Sequence, residues 1–263
     1  METIRTGLSV GAGFGAAAAL LLALRRQQVT ERTQQATEYD AGEKRVTELY
    51  VKAAEQLGSD KAPVRLAGLY ALERLAQDNP VHRQSIVEVI CAYLRMPYTP
   101  RTEEQADQNT AEPDTGQEPG APKQPDPREE RQVRLAAQRI LARHLRPTTP
   151  NGTPSQAYWN GMTLDLTEAT LLDTDFSNCH LNDARFVGVT FAGTARFAEA
   201  TFIGIAWFDG AMYQEKIDFI DARIGDGNRD SDMWPAGWRV DLDTRRVVRV
   251  PVEEETEGDA ESE

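Results

Sequence analysis

Three histidines and two cysteines are the residues of this 263-residue chain whose side chains most readily bind metal ions or act as nucleophiles. His82, His144 and His180 are far apart, and Cys91 and Cys179 lie in different stretches of sequence. Metal ligands and nucleophile–base pairs are commonly recognised by short, fixed spacings, and no pair here has such a spacing. The sequence therefore predicts no catalytic residue, no metal site and no enzymatic activity. An enzyme whose site is assembled by folding from distant residues is the alternative.

A glycine motif near the N-terminus has the spacing of a cofactor-binding loop. Gly11, Gly13 and Ala16 match the G-x-G-x-x-A pattern that binds a dinucleotide, but only ten residues precede them and no second βαβ unit follows. We therefore predict no cofactor. Gly7, Gly11 and Gly15 also fall on one face of a helix, where small residues let two helices approach closely. This stripe indicates a weak homodimer as an alternative to a monomer.

Residues 7–24 carry no charge and are followed at once by Arg25 and Arg26. A helix of this length measures about 27 Å, close to the thickness of the apolar core of a membrane. The excess of arginine after the stretch, with only Arg5 before it, predicts that the rest of the chain is cytoplasmic. We therefore expect a single-pass anchor in the cell membrane, with the lipid membrane as a partner of residues 7–24. A cleaved signal peptide and a soluble alanine-rich helix are the alternatives.

Residues 27–97 contain three amphipathic stretches that predict a helical bundle. Gly58 ends the first stretch, Pro63 lies in the first turn of the second, and Pro80 opens the third. The third stretch is apolar on most sides, which predicts that it is the central helix of the bundle. The second is also similar to half of a HEAT repeat, and a generic bundle remains the alternative.

The net charge of −13 is supplied entirely by residues 98–130 and 251–263. Residues 98–127 are rich in Pro, Gln, Thr and acidic residues, which predicts a disordered acidic linker, and the second segment predicts an acidic tail. Asp126 and Pro127 are start signals for a fourth helix that carries five arginines on its outer side. We expect these arginines to form a solvated basic face, with contact to anionic lipid or nucleic acid as the alternative.

The most regular stretch of the chain runs from Leu164 to Ile224. A large apolar residue recurs there at steps of five, and later at alternating steps of six and five, with a small residue, mostly alanine, two places before it. Helices repeat their apolar positions about every three to four residues and strands every two, so neither explains the spacing. We predict that the recurring residues form a structural ladder inside a repeat domain. They are Leu166, Leu171, Phe176, Leu181, Phe186, Phe191, Phe197, Phe202, Phe208, Tyr213, Phe219 and Ile224.

The units ATLLD, TDFSN, CHLND and ARFVG resemble the pentapeptide-repeat family, whose motif is a small residue, a polar one, Leu or Phe, and two polar ones. The resemblance implies a right-handed, four-sided parallel β-helix in which Leu and Phe stack in an internal ladder. At each six-residue step, the inserted residue must bulge outward. After the repeats, Trp234 and Trp238 are expected to cover the end of the solenoid, which otherwise exposes apolar side chains and strand edges.

The run from KAAEQLG to VICAYLR resembles the region between an N-terminal anchor and the repeats in actinobacterial membrane-associated pentapeptide-repeat proteins. Together these features predict an α+β fold, with an N-terminal membrane helix and a helical bundle followed by the short β-helix. The predicted division is a membrane anchor at 1–26, a helical region at 27–97, a disordered acidic linker at 98–127, a helix joining the repeats at 128–146, a pentapeptide-repeat β-helix at 156–225, a capping segment at 226–250 and an acidic tail at 251–263.

The repeats and the lack of clustered reactive residues together point to a class of function. We predict a membrane-tethered, non-enzymatic protein-interaction or scaffold protein, whose partner protein the sequence does not identify. The alternative, implied by the family, is a gyrase-binding protein that mimics DNA in shape and charge. Nucleic acid itself is not expected as a partner.

Overall fold

The computed structural model describes residues 25–27, 41–100, 126–226 and 233–250. They belong to two compact units, 1–51 and 52–263. In the first unit, residues 25–27 and 41–51 are helical. The predicted tail and most of the predicted acidic linker lie outside the described residues.

The second unit begins with helical segments. Residues 52–57 are helical, and they are followed by α1 (Ala62–Asp78), a 3₁₀ turn (Pro80–His82), α2 (Arg83–Arg95) and α3 (Pro127–Leu145). Asp126 caps α3, because its side chain accepts a hydrogen bond from the Arg128 N–H at 2.9 Å. Pro127 occupies the first turn, where an N–H has no helical partner to lose. The predicted start of this helix is therefore confirmed.

The helices pack closely around α2. This helix contacts α1, α3 and the first two strands of the repeat region, as its mostly apolar sequence predicts. Gly68 of α1 lies against the backbone of residues 52–57, and a Cβ at this position would lie 2.8 Å from both Ala53 O and Leu57 N. Only glycine therefore allows the two segments to approach so closely.

The repeat region consists, among the described residues, of eleven strands of two or three residues each. They are β1 (Leu164–Asp165), β2 (Thr170–Leu172), β3 (His180–Leu181), β4 (Ala184–Arg185), β5 (Thr190–Ala192), β6 (Ala195–Arg196), β7 (Thr201–Phe202), β8 (Ala206–Trp207), β9 (Met212–Tyr213), β10 (Ile217–Asp218) and β11 (Arg223–Ile224). Two longer strands, β12 (Trp238–Asp241) and β13 (Arg246–Arg249), form an antiparallel pair after them.

The strands of the repeat region pair in parallel with strands about twenty residues further along, which is four five-residue units. Leu164 is aligned with Ala184, and Ala184 with Ala206. The resulting sheets have the orders β1-β4-β8, β2-β5-β9, β10-β6 and β12-β13-β11-β7-β3. β13 joins the last of these sheets antiparallel to β11.

This arrangement contradicts the prediction of a right-handed, four-sided β-helix. The strands are short and belong to several small sheets, not to one closed solenoid. The short repeat unit is the physical reason, because each unit also contains a turn that interrupts the strand. Several turns place a residue in the left-handed region, with φ of 59° at Glu168, 60° at Asn178 and 62° at Gly188.

The predicted membrane helix is also wrong, and with it the predicted single-pass location in the cell membrane. Within the ranges that the structure describes, no helix is long and apolar enough to cross a membrane. α2 has 13 residues, fewer than the about 20 that a bilayer requires, and the longer α1 carries Arg65, Glu73 and Arg74. Residues 7–24, on which the prediction rested, lie outside the described residues.

The recurring apolar residues line the interior between the small sheets. Eleven of the twelve predicted ladder residues are buried, and Tyr213 differs because its side chain is 40% exposed. Stacked phenylalanine rings connect successive strands, with ring centroids 4.7 Å apart for Phe186 and Phe208 and 5.1 Å apart for Phe197 and Phe219. The small residues two places earlier are also buried, with the exception of the half-buried Ala211.

Two tryptophans cover the last rings of this core. Trp234 stacks on Phe208 at 5.7 Å and meets Phe202 edge-on at 5.0 Å, while Trp238 contacts Phe219 at 5.1 Å. Both tryptophans therefore contact the last rings of the core, which is the place expected for them. β13 adds a further layer, because it pairs with the outer edge of β11.

The helices cover the opposite end of the repeat region. Polar side chains there form hydrogen bonds with backbone groups, as a neighbouring strand would. Gln84 accepts a hydrogen bond from Thr163 N–H at 3.0 Å and donates to Thr163 O at 3.2 Å. Gln138 likewise accepts a hydrogen bond from the Leu172 N–H at 2.8 Å and donates one to Leu172 O at 2.6 Å. Arg146 donates to the carbonyl oxygens of Asp175 and Ser177. These hydrogen bonds satisfy backbone groups at the start of the repeat region, which no earlier strand pairs with.

Gln138→Leu is expected to lower the free energy of unfolding by about 2 kcal/mol or more, because two buried backbone groups of Leu172 lose their only described partner. Urea denaturation measures the change. Gln132→Leu on the same helix is the control, since Gln132 is exposed. Equal stability of the two variants would contradict the stabilising role of the two hydrogen bonds between Gln138 and Leu172.

Candidate functional site

The histidines and cysteines do not come together in the structure. Among the residues that it describes, no group of three or more His, Cys, Asp or Glu side chains is placed to hold a metal ion. Cys91 and Cys179 are both buried, and burial raises the pKa of each thiol to about 12. A thiol with such a pKa stays protonated near neutral pH, so neither cysteine supplies a thiolate nucleophile.

His144 is buried at the junction of helices and repeats with both ring nitrogens facing oxygen atoms. Its Nδ1 lies 2.5 Å from Ala157 O, and its Nε2 lies 2.8 Å from a carboxylate oxygen of Glu73. The ring also stacks on Trp159, with centroids 3.7 Å apart. Ala157 O can only accept, so Nδ1 is the donor of that bond, and an ionised Glu73 accepts the second bond from Nε2.

Acidification is expected to remove the contribution of Glu73 to stability. The hydrogen bond from His144 holds the pKa of Glu73 below its ordinary value of 4.5. A lowered pKa stabilises the fold fully above the unfolded value, and this contribution is lost as the pH falls through the folded value. Between about pH 5 and pH 3, wild type should therefore lose more stability than Glu73→Gln. Thermal unfolding across this range measures the difference, and Glu55→Gln, at an exposed position, should behave like wild type.

A groove in the helical part of the second unit lies beside a group of buried charges. We call it the helical groove, and it has a volume of about 880 Å³. Most of its walls are apolar or aromatic, and Met96 at its edge is 56% exposed. Its lining residues include Ala54, Leu57, Val89, Ala92, Tyr93, Met96, Pro97, Tyr98, Pro100 and Pro127, with Arg65, Glu130 and Arg134 as buried or half-buried charges.

Glu130 of α3 is the centre of the charged cluster in the helical groove. One of its oxygens accepts from Arg134 Nε at 2.9 Å, and Tyr93 OH donates to the carboxylate at 2.9 Å. Arg134 also donates to the carbonyl oxygens of Leu94 and Met96, at 2.9 and 2.6 Å, so all three of its nitrogens are used. The ring of Tyr98 covers the Arg134 guanidinium at 4.6 Å.

Arg65 is the second guanidinium of the cluster, and it is less completely bonded. Its side chain is buried, and Nη1 donates to Ser59 O at 2.8 Å. Nη2 lies 3.1 Å from Glu130 Oε2, which is an ion-pair distance, but the direction does not make a hydrogen bond. Nε has no hydrogen-bond partner among the described residues. Two donors of a buried arginine therefore remain unsatisfied.

The hydroxyl groups in the helical groove remain neutral. Burial raises the pKa of Tyr93, and the carboxylate of Glu130 raises it further. Burial also raises the pKa of Tyr98. The buried cluster therefore contains two cations and one anion. The groove lining has one further charged residue, Asp60, which is exposed.

Four of the five arginines of α3 are exposed, as the predicted solvated basic face requires, and Arg134 is the exception. Arg134 is buried, Arg131 pairs with Asp173 at 2.8 Å, and Arg143 pairs with Glu73 at 2.9 Å. Sequence patterns did not predict that Arg65, Glu130 and Arg134 form a group. The available signal was the Glu130–Arg134 spacing of four residues, which places both on one helix face.

A second cavity, of about 590 Å³, lies between α3 and the repeats. It is lined by Arg139, Arg143 and Arg146 and by the acidic Asp173 and Asp175. Arg146 and Asp175 are paired at 3.2 Å. The side chains of Arg143, Arg146, Asp173 and Asp175 are between 34% and 57% exposed, so water screens their charges more than those of the buried Arg65 and Arg134.

Comparison with known proteins identifies the repeats. Residues 166–212 match the family model for pentapeptide repeats, in nine copies. The chain contains a pentapeptide-repeat domain. Neither actinobacterial origin nor membrane association follows from this match. No curated protein and no solved structure matches the chain.

Pentapeptide-repeat proteins are generally non-enzymatic structural or interaction proteins. The pentapeptide-repeat domain therefore indicates a role in protein interaction. The match covers the repeats and not the helices, so it does not describe the helical groove.

Proposed function

We propose that this chain is a non-enzymatic interaction protein and that the helical groove binds a segment of a partner protein. The composition and size of the groove are the main support for this proposal. It combines exposed apolar surface at Met96, aromatic and proline-rich walls, and a volume that accommodates several side chains. Such an apolar concave surface with a few convergent polar groups is typical of binding sites.

The repeats provide the framework for the groove. Gln84, Gln138 and Arg146 fasten α2, α3 and the residue after α3 to backbone groups of the repeat region. Arg95 adds an ion pair to Asp165 at 2.6 Å. A binding surface whose helices are held by a rigid support loses less conformational entropy when a partner binds.

The DNA-mimicking alternative receives little support from the surface charges. A mimic of duplex DNA needs rows of negative charge at the spacing of phosphates. The outward side chains of paired strands here alternate in sign, with Asp165 beside Arg185 and Arg196 beside Asp218. We therefore favour a protein-binding groove over a mimic of nucleic acid.

Site-specific photo-crosslinking tests the proposal. A photoreactive amino acid replaces Met96 in the full-length protein, which is expressed in its own organism, and crosslinked species are identified by mass spectrometry. We expect one defined partner to be crosslinked through position 96. A photoreactive residue at Val81 is the matched control, because Val81 is 82% exposed and does not line the helical groove.

The comparison of the two positions decides the outcome. A partner captured at position 96 and not at 81 supports the helical groove, and its capture should disappear in Ala92→Trp, which fills the groove. Equal capture of the same proteins at both positions, or capture insensitive to Ala92→Trp, would contradict the proposed binding surface.

A further inference from the structure

The two unsatisfied nitrogens of Arg65 lie on the same edge of its guanidinium group. Nε and Nη2 present parallel N–H groups, and this edge matches the two oxygens of a carboxylate in a bidentate hydrogen-bonded pair. The third nitrogen, Nη1, is already bonded to Ser59 O. Nη2 is within ion-pair distance of Glu130 but makes no hydrogen bond, so this edge still has the geometry of one half of a carboxylate-binding site.

The charge balance of the buried cluster points in the same direction. Glu130 is shared by Arg65 and Arg134, at 3.1 and 2.9 Å, so one anion serves two buried cations. An uncompensated charge in an apolar environment is unfavourable, and a bound anion removes the imbalance. The structure describes no second carboxylate of this chain within ion-pair distance of Arg65.

We propose that the partner segment bound by the helical groove carries a glutamate side chain, and that Arg65 binds its carboxylate through Nε and Nη2. This inference rests on the proposed function of the groove. The residues beside the glutamate are apolar, because the surrounding walls are formed by residues such as Leu57, Val89 and Pro97. Glutamate reaches deeper than aspartate, which suits a cation whose side chain is only 5% exposed.

Entry of the carboxylate requires a local displacement. Nε and Nη2 of Arg65 are closed to water in the free protein. The stretch 97–100 contributes four residues to the same groove and has no helical or strand structure. A side chain of this stretch moves more easily than the helices on either side, because fewer backbone hydrogen bonds hold it.

Two peptide pools test the inference on the full-length protein. Both contain fluorescein-labelled hexapeptides with amidated C-termini and apolar residues chosen from Leu, Ile, Phe and Tyr, with one Glu in the first pool and one Gln in the second. Fluorescence anisotropy measures binding. We expect the Glu pool to bind at least about tenfold more tightly than the Gln pool, because the charged pair and its two hydrogen bonds exist only with glutamate.

Variants of the protein identify the cation. Arg65→Lys keeps the positive charge but removes the two parallel N–H groups of the guanidinium. We expect this variant to bind the Glu pool no more tightly than the Gln pool. Arg74→Lys is the matched control on the same helix, because Arg74 is exposed and lies outside the groove lining. If Arg65→Lys does not fold, the Glu and Gln comparison on wild type decides alone.

The remaining outcomes would overturn the inference. Equal binding of the two pools, lost in Ala92→Trp, would leave the groove as a binding surface but remove the carboxylate. Binding of neither pool also contradicts the inference, while the crosslinking at Met96 still tests the groove independently. If Gln peptides with a free C-terminal carboxylate bind more tightly than the amidated Gln pool, the groove binds the C-terminus of a partner and not a glutamate side chain. A dimer in sedimentation velocity that is lost in Arg65→Lys would assign the groove to a second copy of this chain.

Discussion

Phe197→Ala is expected to lower the free energy of unfolding by about 3–5 kcal/mol. Phe197 is fully buried at the centre of the repeat core, and its removal leaves a cavity between rings that belong to different sheets. Urea denaturation followed by tryptophan fluorescence measures the loss. The ring lies within 6.1 Å of six others, those of Phe176, Phe186, Phe191, Phe202, Phe208 and Phe219.

Ile220→Ala provides the control for this prediction. Ile220 follows the buried Phe219 directly and is 57% exposed, so its truncation should change stability by less than about 1 kcal/mol. Similar losses in Phe197→Ala and Ile220→Ala would contradict the assignment of inward and outward positions.

Glu130→Gln is expected to lower the free energy of unfolding by about 3 kcal/mol or more. The substitution preserves the shape of the side chain but removes the only anion shared by Arg65 and Arg134. Two buried cations then remain without a compensating charge. Glu129→Gln, one position earlier and exposed, should be close to wild type.

A double-mutant cycle separates the charge effect from other consequences of the change. In Arg65→Met with Glu130→Gln, the remaining Arg134 still donates to two backbone oxygens, so part of the lost stability should return. Stability losses that add fully in the double variant would show that Arg65 and Glu130 are not energetically coupled.

The period of the repeats made the interior positions predictable, but it did not determine how the strands associate. Burial follows from the position of a residue within its unit, so Phe176 and Phe197 are recognisable from spacing alone. The assembly of strands depends on backbone pairing, and units that leave only two or three residues for a strand form small separate sheets. Tyr213 lies in β9, the last strand of its sheet, where no further described strand covers it.

The helical groove was not predictable, because its charged residues come from distant parts of the chain. Arg65 lies on α1 and Glu130 on α3, and nothing in the sequence indicates that these helices meet there. The same reason applies to His144 and Glu73, which are 71 residues apart. The membrane prediction was wrong for another reason. It rested on the absence of charge in residues 7–24, although glycine and alanine favour insertion only weakly.

Hydrogen–deuterium exchange tests the helical groove as the binding surface most directly. Full-length protein is compared alone and with the partner that is crosslinked through position 96. We predict slower exchange of the backbone amides of Tyr98 and Thr99 and of the first turn of α3, with unchanged exchange in the strands of the repeat region. Protection of the repeat strands, with no change at residues 98–99 or in α3, would contradict the proposed binding surface.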